Sequence, residues 1–311
     1  MRILVYLCYR GYSIKGTFSA LNKPISSTNY LQDILEKAIL CFCPARRPKI
    51  LLSTYTECNV HSLCNTATID FELPGKQKLG TGELNISWFK FNLNRILIEK
   101  KRTMRILDAR FVHDAFEPKL AAIHRTYLYR FITDPSITII EQPLSTYLSS
   151  PISLTLLRSA ISLVHNHLID YSLFTLPEAR NLLKDTHRIV GIQLSEAPNL
   201  FSNLKIKSST NFCLQLTCTN FLYQMVRRLT TELIQVAQEQ LTLEQFEQRL
   251  YSSNKYLSMN NEDKLLDING LYLQNVMYDE QDFQRYVTYT TTLTTKKNVM
   301  YPLAPVLTGE E

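Results

Sequence analysis

Runs of β-branched and aromatic residues alternate along this chain with stretches of helical periodicity, and the same order of elements occurs twice. The first run, Arg2 to Tyr9, is strand-like from the second residue, and Gly11 and Gly16 punctuate the turn after it. Leu31, Ile34, Leu35, Ala38 and Ile39 recur at helical spacing and predict a helix over 28–43, with Ser27 or Thr28 able to cap it. A short strand over 66–72 stops at Pro74 and Gly75, a helix over 85–97 follows, and two strands fall near 105–112 and 125–133. The segment 134–150, with Pro135, Pro143 and a Ser/Thr cluster, is read as the connection between halves. The second half then runs helix 153–167, strands 187–195 and 211–218, a long helix 221–239, a short helix 242–251 and a strand 270–278. Strands and helices mixed in this order predict an α+β fold of two similar α/β halves on a largely antiparallel sheet. The halves are placed at 1–135 and 150–280, with 281–311 as a peripheral tail.

Composition narrows the class. Apolar residues make up 45% and charged residues 20% of the 311, which suits one large core or two smaller ones and does not suit a disordered chain. The +6 net charge is compatible with a polyanionic partner without requiring one. Seven cysteines, an odd number, with no secretory signal predict a reducing, intracellular setting, cytoplasmic or mitochondrial. Cys41 and Cys43 lack zinc-knuckle spacing, and His165 and His167 stand too close together and without further ligands, so no metal and no cofactor are expected. No run of 18 apolar residues is present, so no membrane span is expected, and no Arg- and Ser-rich presequence is visible.

Chemistry concentrates in Tyr55-Thr56-Glu57-Cys58-Asn59-Val60-His61-Ser62-Leu63. This stretch resembles the Arg-Thr-Asp-x-Gly-Val-His loop of TruA-type tRNA pseudouridine synthases. Further blocks occur in the family's order. They are Tyr9-Arg10-Gly11 with Gly16, Asn29-Tyr30-Leu31, and Arg125-Thr126-Tyr127-Leu128-Tyr129-Arg130. Asp170-Tyr171-Ser172-Leu173-Phe174, the Phe221-to-Arg228 segment and Gly270-Leu271-Tyr272-Leu273 complete the series. Each block is weak alone, but together they span residues 2–278. The wording is most similar to the tRNA pseudouridine synthase-like branch.

The resemblance implies a cleft between two halves of a continuous sheet, into which a uridine flips out of tRNA or another structured RNA. It implies that the loop carboxylate attacks the ribose or the base, or takes a ribose proton, and that the base rotates and reattaches through carbon. It also implies no metal or cofactor, and a homodimer as in bacterial relatives. Carried over by position, the catalytic set is Glu57 at the Asp position, Tyr127 as the stacking aromatic, and Arg227 as the carboxylate's partner. An aromatic face suits a base, and an arginine beside a carboxylate keeps it ionised. The RNA-facing set is Tyr55, His61, Lys119, Arg125 and Arg228. Several positions depart from the family pattern, among them Lys119 where the family shows Arg, and the residues before Gly270, which lack its Pro. Glu57 adds one methylene, Tyr55 replaces an Arg, Asn59 replaces a Gly whose left-handed backbone Asn tolerates, and Glu117 introduces an acid where the family shows His. Three readings therefore stand: an isomerase of altered efficiency, an inactive relative that binds RNA as an assembly factor, and a structural subunit that binds none. Arg10, Lys15, Lys119, Arg125, Arg227 and Arg228 lining one groove would favour RNA binding.

Overall fold

The computed structural model describes residues 1–14, 30–72, 84–133, 141–176, 184–196, 211–251 and 265–285. Lys15, Gly16, Asn29, the tail from 286 and residues 134–140 of the proposed 134–150 connection lie outside the described residues. Within them the fold is a mixed α/β arrangement around one large, mostly antiparallel sheet.

In the first half, β1 (Arg2–Tyr9) lies between β4 (Met104–Val112) and β3 (His61–Asp70), antiparallel to both. Alternation along β1 sends Ile3, Val5, Leu7 and Tyr9 into one apolar cluster. Leu35 and Ile39 of α1 (Leu31–Leu40) and Phe89, Leu93 and Leu97 of α2 (Ile86–Glu99) join it. In the second half, β5 (His124–Ile132) lies between β11 (Leu271–Met277) and β10 (Phe212–Cys218), and β9 (Gly191–Glu196) closes the edge. Tyr127, Tyr129 and Phe131 of β5 pair across with Leu216, Leu214 and Phe212. That face packs on α4 (Leu154–Val164), α5 (Met225–Ala237) and α6 (Leu243–Tyr251) in a second core. By chain order β5 belongs to the first half, yet both its edges are held by strands of the second.

The sheet passes from one half to the other at one seam, and Tyr278 beyond it touches Thr66 and Phe116. β11 runs parallel to the start of β3, with Tyr272 opposite His61 and Leu273 opposite Ser62. The rest of that β3 edge carries β2 (Lys49–Leu52), a four-residue strand that the sequence pattern did not show. The loop 53–60 joins β2 to β3 and therefore sits where the two halves touch.

Several boundaries move from expectation: the helix expected over 28–43 runs Leu31–Leu40 with Tyr30 at its N-cap, and the strand expected over 187–195 divides into His187–Ile189 and Gly191–Glu196. The strand expected at 66–72 starts at His61, so the end of the motif stretch is already in the sheet. The helix expected at 153–167 stops at Val164, because Asn166 turns left-handed at φ 61° and the chain enters β7 (Leu168–Asp170), which pairs with β8 (His187–Ile189). The helix expected from 221 starts at Met225, because Gln224 is left-handed at φ 59°.

Candidate active site

Side chains from three strands hold the loop 53–60 in place. Tyr9 of β1 shares a 2.9 Å hydrogen bond with Thr56. Asn65 of β3 donates through Nδ2 to the Tyr9 hydroxyl and to the Thr54 carbonyl, and its Oδ1 accepts from the Ser53 hydroxyl at 2.9 Å. Burial pushes the Tyr9 phenol up to about 12, so it stays a neutral hydroxyl that can hold these partners. Arg125 of β5 closes the other side. Its Nε donates to Thr54 Oγ1 at 3.1 Å, and its Nη atoms donate to the carbonyls of Ser53, Lys119 and Thr219. At the tip, Asn59 adopts φ 68°, and the Val60 N–H closes the turn onto the Glu57 carbonyl at 3.3 Å.

The N-terminal turn braces this tip from outside. A Cβ built on Gly11 would stand 2.1 Å from the Asn59 carbonyl oxygen, so only glycine permits the approach. The Gly11 N–H donates to His61 Nδ1 at 3.1 Å. The His61 ring stacks on Tyr272 with centroids 4.9 Å apart and meets Tyr12 edge-on at 4.9 Å.

Beside the loop lies a cavity of about 290 Å³, close to the lower end of ligand pockets at about 300 Å³. Glu57, Tyr127, Phe221 and Met225 are among its walls, and Tyr55 and Lys119 also line it. The Tyr127 ring is buried and meets Phe221 edge to face at 5.3 Å. Tyr55 is half-exposed, with the Lys119 ammonium 5.7 Å from its ring centroid.

The carboxylate and its partner are looser than expected. Arg227 Nη1 stands 3.9 Å from Glu57 Oε2, beyond hydrogen-bond length, while Arg227 Nε donates to the Leu266 carbonyl at 2.8 Å. The Glu57 side chain is 19% exposed. Burial raises its pKa above the ordinary carboxylate value, and attraction to Arg227 and then Arg228 opposes this without cancelling it. Arg227 therefore does not bring this carboxylate back to its ordinary value, because desolvation outweighs a partner held at this distance.

The expected RNA-facing set divides. Tyr55 and Lys119 are at the pocket with exposed side chains. His61 is 2% exposed and burial lowers its pKa, opposed by the nearby Pro143 carbonyl, so it is a neutral ring packed in the seam. Arg125 and Arg228 are each 4% exposed. Arg125 is turned to four protein oxygens, and Arg228 donates to Gln224 Oε1 at 3.1 and 3.2 Å. Arg10 is exposed on the bracing turn. Lys15 lies outside the described residues, and the other five cations named from sequence do not line one groove. Arg188, not singled out in the sequence, also lines the pocket and ties the Asn220 carbonyl through Nε at 2.9 Å. Its place comes from the β7–β8 pairing, which no local motif announces. Among the described residues no group of three His, Cys, Asp or Glu could hold a metal ion, and no helix is long and apolar enough to cross a membrane.

No protein-family model matches the chain. It is 26% identical over 288 residues to tRNA pseudouridine synthase-like 1 of Xenopus laevis, covering 89% of this chain and 91% of that protein. It is 25% identical over 290 residues to the human protein of the same name, covering 89% and 90%. It is 23% identical over 279 residues to tRNA pseudouridine synthase A of Borreliella burgdorferi (strain ZS7), covering 89% and 99%. The chain is thus a distant relative of TruA-type tRNA pseudouridine synthases along most of its length.

Proposed function

We propose that this protein isomerises uridine to pseudouridine in a structured RNA, with tRNA the first class to test because the relatives' names specify it. One observation carries the reading. Glu57 and Tyr127, from a loop and a strand far apart in the chain, both line one pocket of about 290 Å³, and Arg227, outside its lining, stands 3.9 Å from the Glu57 carboxylate.

In this scheme a uridine leaves its stack and enters the pocket against Tyr127. The N1–C1′ bond breaks, the uracil turns, and a C5–C1′ bond forms. C5 loses its proton and N1 ends protonated, so the formula is unchanged and no co-reactant is needed. Glu57 is the reacting carboxylate. Its raised pKa makes it a better proton acceptor than an exposed carboxylate once ionised. Tyr55 and Lys119 stand at the mouth, where the flanking backbone would pass.

A second reading, an RNA-binding relative without turnover, is favoured by the 3.9 Å gap between Arg227 and Glu57. A carboxylate one methylene longer than aspartate sits about 1–1.5 Å from where the shorter one would, and a displacement of about 1 Å can cost on the order of 100-fold. Pseudouridine mapping at single-nucleotide resolution, in cells with and without the protein, separates the two. Sites lost with the protein and restored by the natural chain but not by Glu57→Ala support the isomerase. Sites restored equally by both forms would remove Glu57 from the chemistry.

A further inference from the structure

The turn between α2 and β4 reads Glu99-Lys100-Lys101-Arg102-Thr103-Met104-Arg105, and the proposed chemistry uses none of it. The sheet brings this turn to the end of β1. Tyr9 pairs with Met104 and Cys8 with Arg105, and the Arg10 N–H donates to the Thr103 carbonyl at 3.0 Å. Arg10, Lys100, Lys101, Arg102 and Arg105 therefore share one corner, and all but the half-buried Arg102 are exposed. The backbone is fixed there. Lys101 is left-handed at φ 52°, the Arg102 N–H bonds the Leu97 carbonyl at 2.8 Å, and Arg105 Nη1 donates to the Arg102 and Met104 carbonyls. Glu99, the acid preceding the run, is turned away toward Arg95 at 3.8 Å. Five of the chain's 34 lysines and arginines thus meet in one place.

The corner adjoins the loop that carries Glu57. The Arg10 guanidinium lies 5.8 Å from the Tyr12 ring centroid, and Tyr12 is 37% exposed and meets His61 edge-on. Gly11 sits against Asn59, and Cys58 Sγ contacts the Ile14 carbonyl at 3.7 Å.

We propose that this corner is a second RNA contact, a phosphate-backbone clamp for the strand flanking the uridine that enters the pocket. The assignment rests on the reading of the pocket as an RNA site. A polyanion is the occupant that suits it, because clustered cations repel one another until phosphates pair with them, and that pairing releases the counterions condensed on the nucleic acid. Lysine and arginine on a turn track a backbone without reading bases, so this contact adds affinity and orientation and leaves the choice of uridine to the pocket.

The test compares the full-length natural chain with the double variant Lys100→Gln/Lys101→Asn; Asn tolerates the left-handed backbone at 101. Binding to a tRNA transcript is followed over a salt series. Glu57→Ala and Lys49→Gln, an exposed lysine on β2, serve as comparisons, and circular dichroism verifies folding. The double variant is expected to lose about 1.4–1.8 from the slope of log affinity against log salt, and about 10-fold or more in affinity near 0.1 M salt. Lys49→Gln keeps the natural slope. An unchanged slope in the double variant overturns the clamp while Glu57-dependent pseudouridine formation would leave the pocket reading intact. Loss of slope in a chain that forms no pseudouridine keeps the clamp and overturns the chemistry. Absence of tRNA binding by the natural chain, or a loss confined to phosphatidylserine vesicles in a parallel flotation assay, overturns the clamp.

Discussion

Glu57 has the right charge in the pocket and one carbon too many. If Glu57 acts as proposed, Glu57→Asp shortens the reach by about 1–1.5 Å, and it should raise the rate of pseudouridine formation by about 10- to 100-fold, measured in single-turnover assays on RNA. Glu57→Gln should move stability in the opposite sense to a surface change. The folded carboxyl has a raised pKa, so the native state binds more protons than the unfolded chain between the ordinary carboxylate value and the raised one. Stability from this group is present below the ordinary value and lost as pH rises through the raised one. Removing the charge should therefore raise Tm at neutral pH, and the gain should shrink as pH falls below the ordinary carboxylate range. An equal Tm difference at pH 4 and pH 7 would show that Glu57 is not held against its own ionisation. The loop's identity was legible in the sequence because Thr56, Val60, His61 and Asn65 stand at their expected spacing. The burial of Arg125 and Arg228 was not, since an arginine in a strand or a helix reads the same whether it meets phosphate or oxygens of its own chain.

At the scale of elements, the loop keeps its shape through the turn that braces it. Gly11→Ala puts a methyl against backbone atoms of Asn59 and Val60 that cannot move separately from β3. The expected cost is about 2 kcal/mol or more, read as a lower urea midpoint with unchanged m-value, and the damage should extend to RNA modification. The same turn couples to pH through His61. Burial lowers its pKa, so the unfolded chain takes up a proton that the folded chain refuses. Stability from this ring is full above the ordinary imidazole value and is lost as pH falls toward the lowered one. His61→Gln should flatten the stability profile over that window, which urea titrations from pH 7.5 down to pH 5 would show. Long alternating or β-branched runs made β1, β4, β5 and β10 legible, and periodicity did the same for α2 and α4. The pattern gave no sign of β2, whose four residues Lys49–Leu52 follow Pro48 and are too few to show alternation. It also placed the start of α5 four residues early, because Phe221 and Leu222 continue the apolar spacing while Gln224 breaks the backbone.

For the whole molecule, the seam matters more than either half. One apolar cluster is built from the first half alone, the other joins Leu4, Val60, Val112 and Phe116 to the helices and strands of the second half, and β11, the last described strand, fills the gap between β3 and β5. Its pairing with β3 joins Leu273 to Ser62 across the length of the chain, through two parallel rungs and the bond from Ser62 Oγ to the Leu273 carbonyl at 3.2 Å. Sequence patterns describe a strand's faces, not its neighbours, which is why Gly270-Leu271-Tyr272-Leu273 was recognised as a strand but not as the one that joins the halves. Gly270 fixes its entry, since a Cβ there would lie 2.2 Å from the Arg130 carbonyl oxygen. A chain ending at residue 264 would leave β3 and β5 with open edges in the middle of the sheet, together with the unpaired N–H and C=O groups that invite association. Such a truncation should lose the single cooperative urea transition and elute from size exclusion as aggregate. In hydrogen exchange on the full chain, amides of β11 and of β5 facing it should exchange together, at the rate of global opening, because neither half can release the shared strand alone. Separate exchange of β11 at a lower opening free energy than β5 would show that the halves hold together by some means other than this seam.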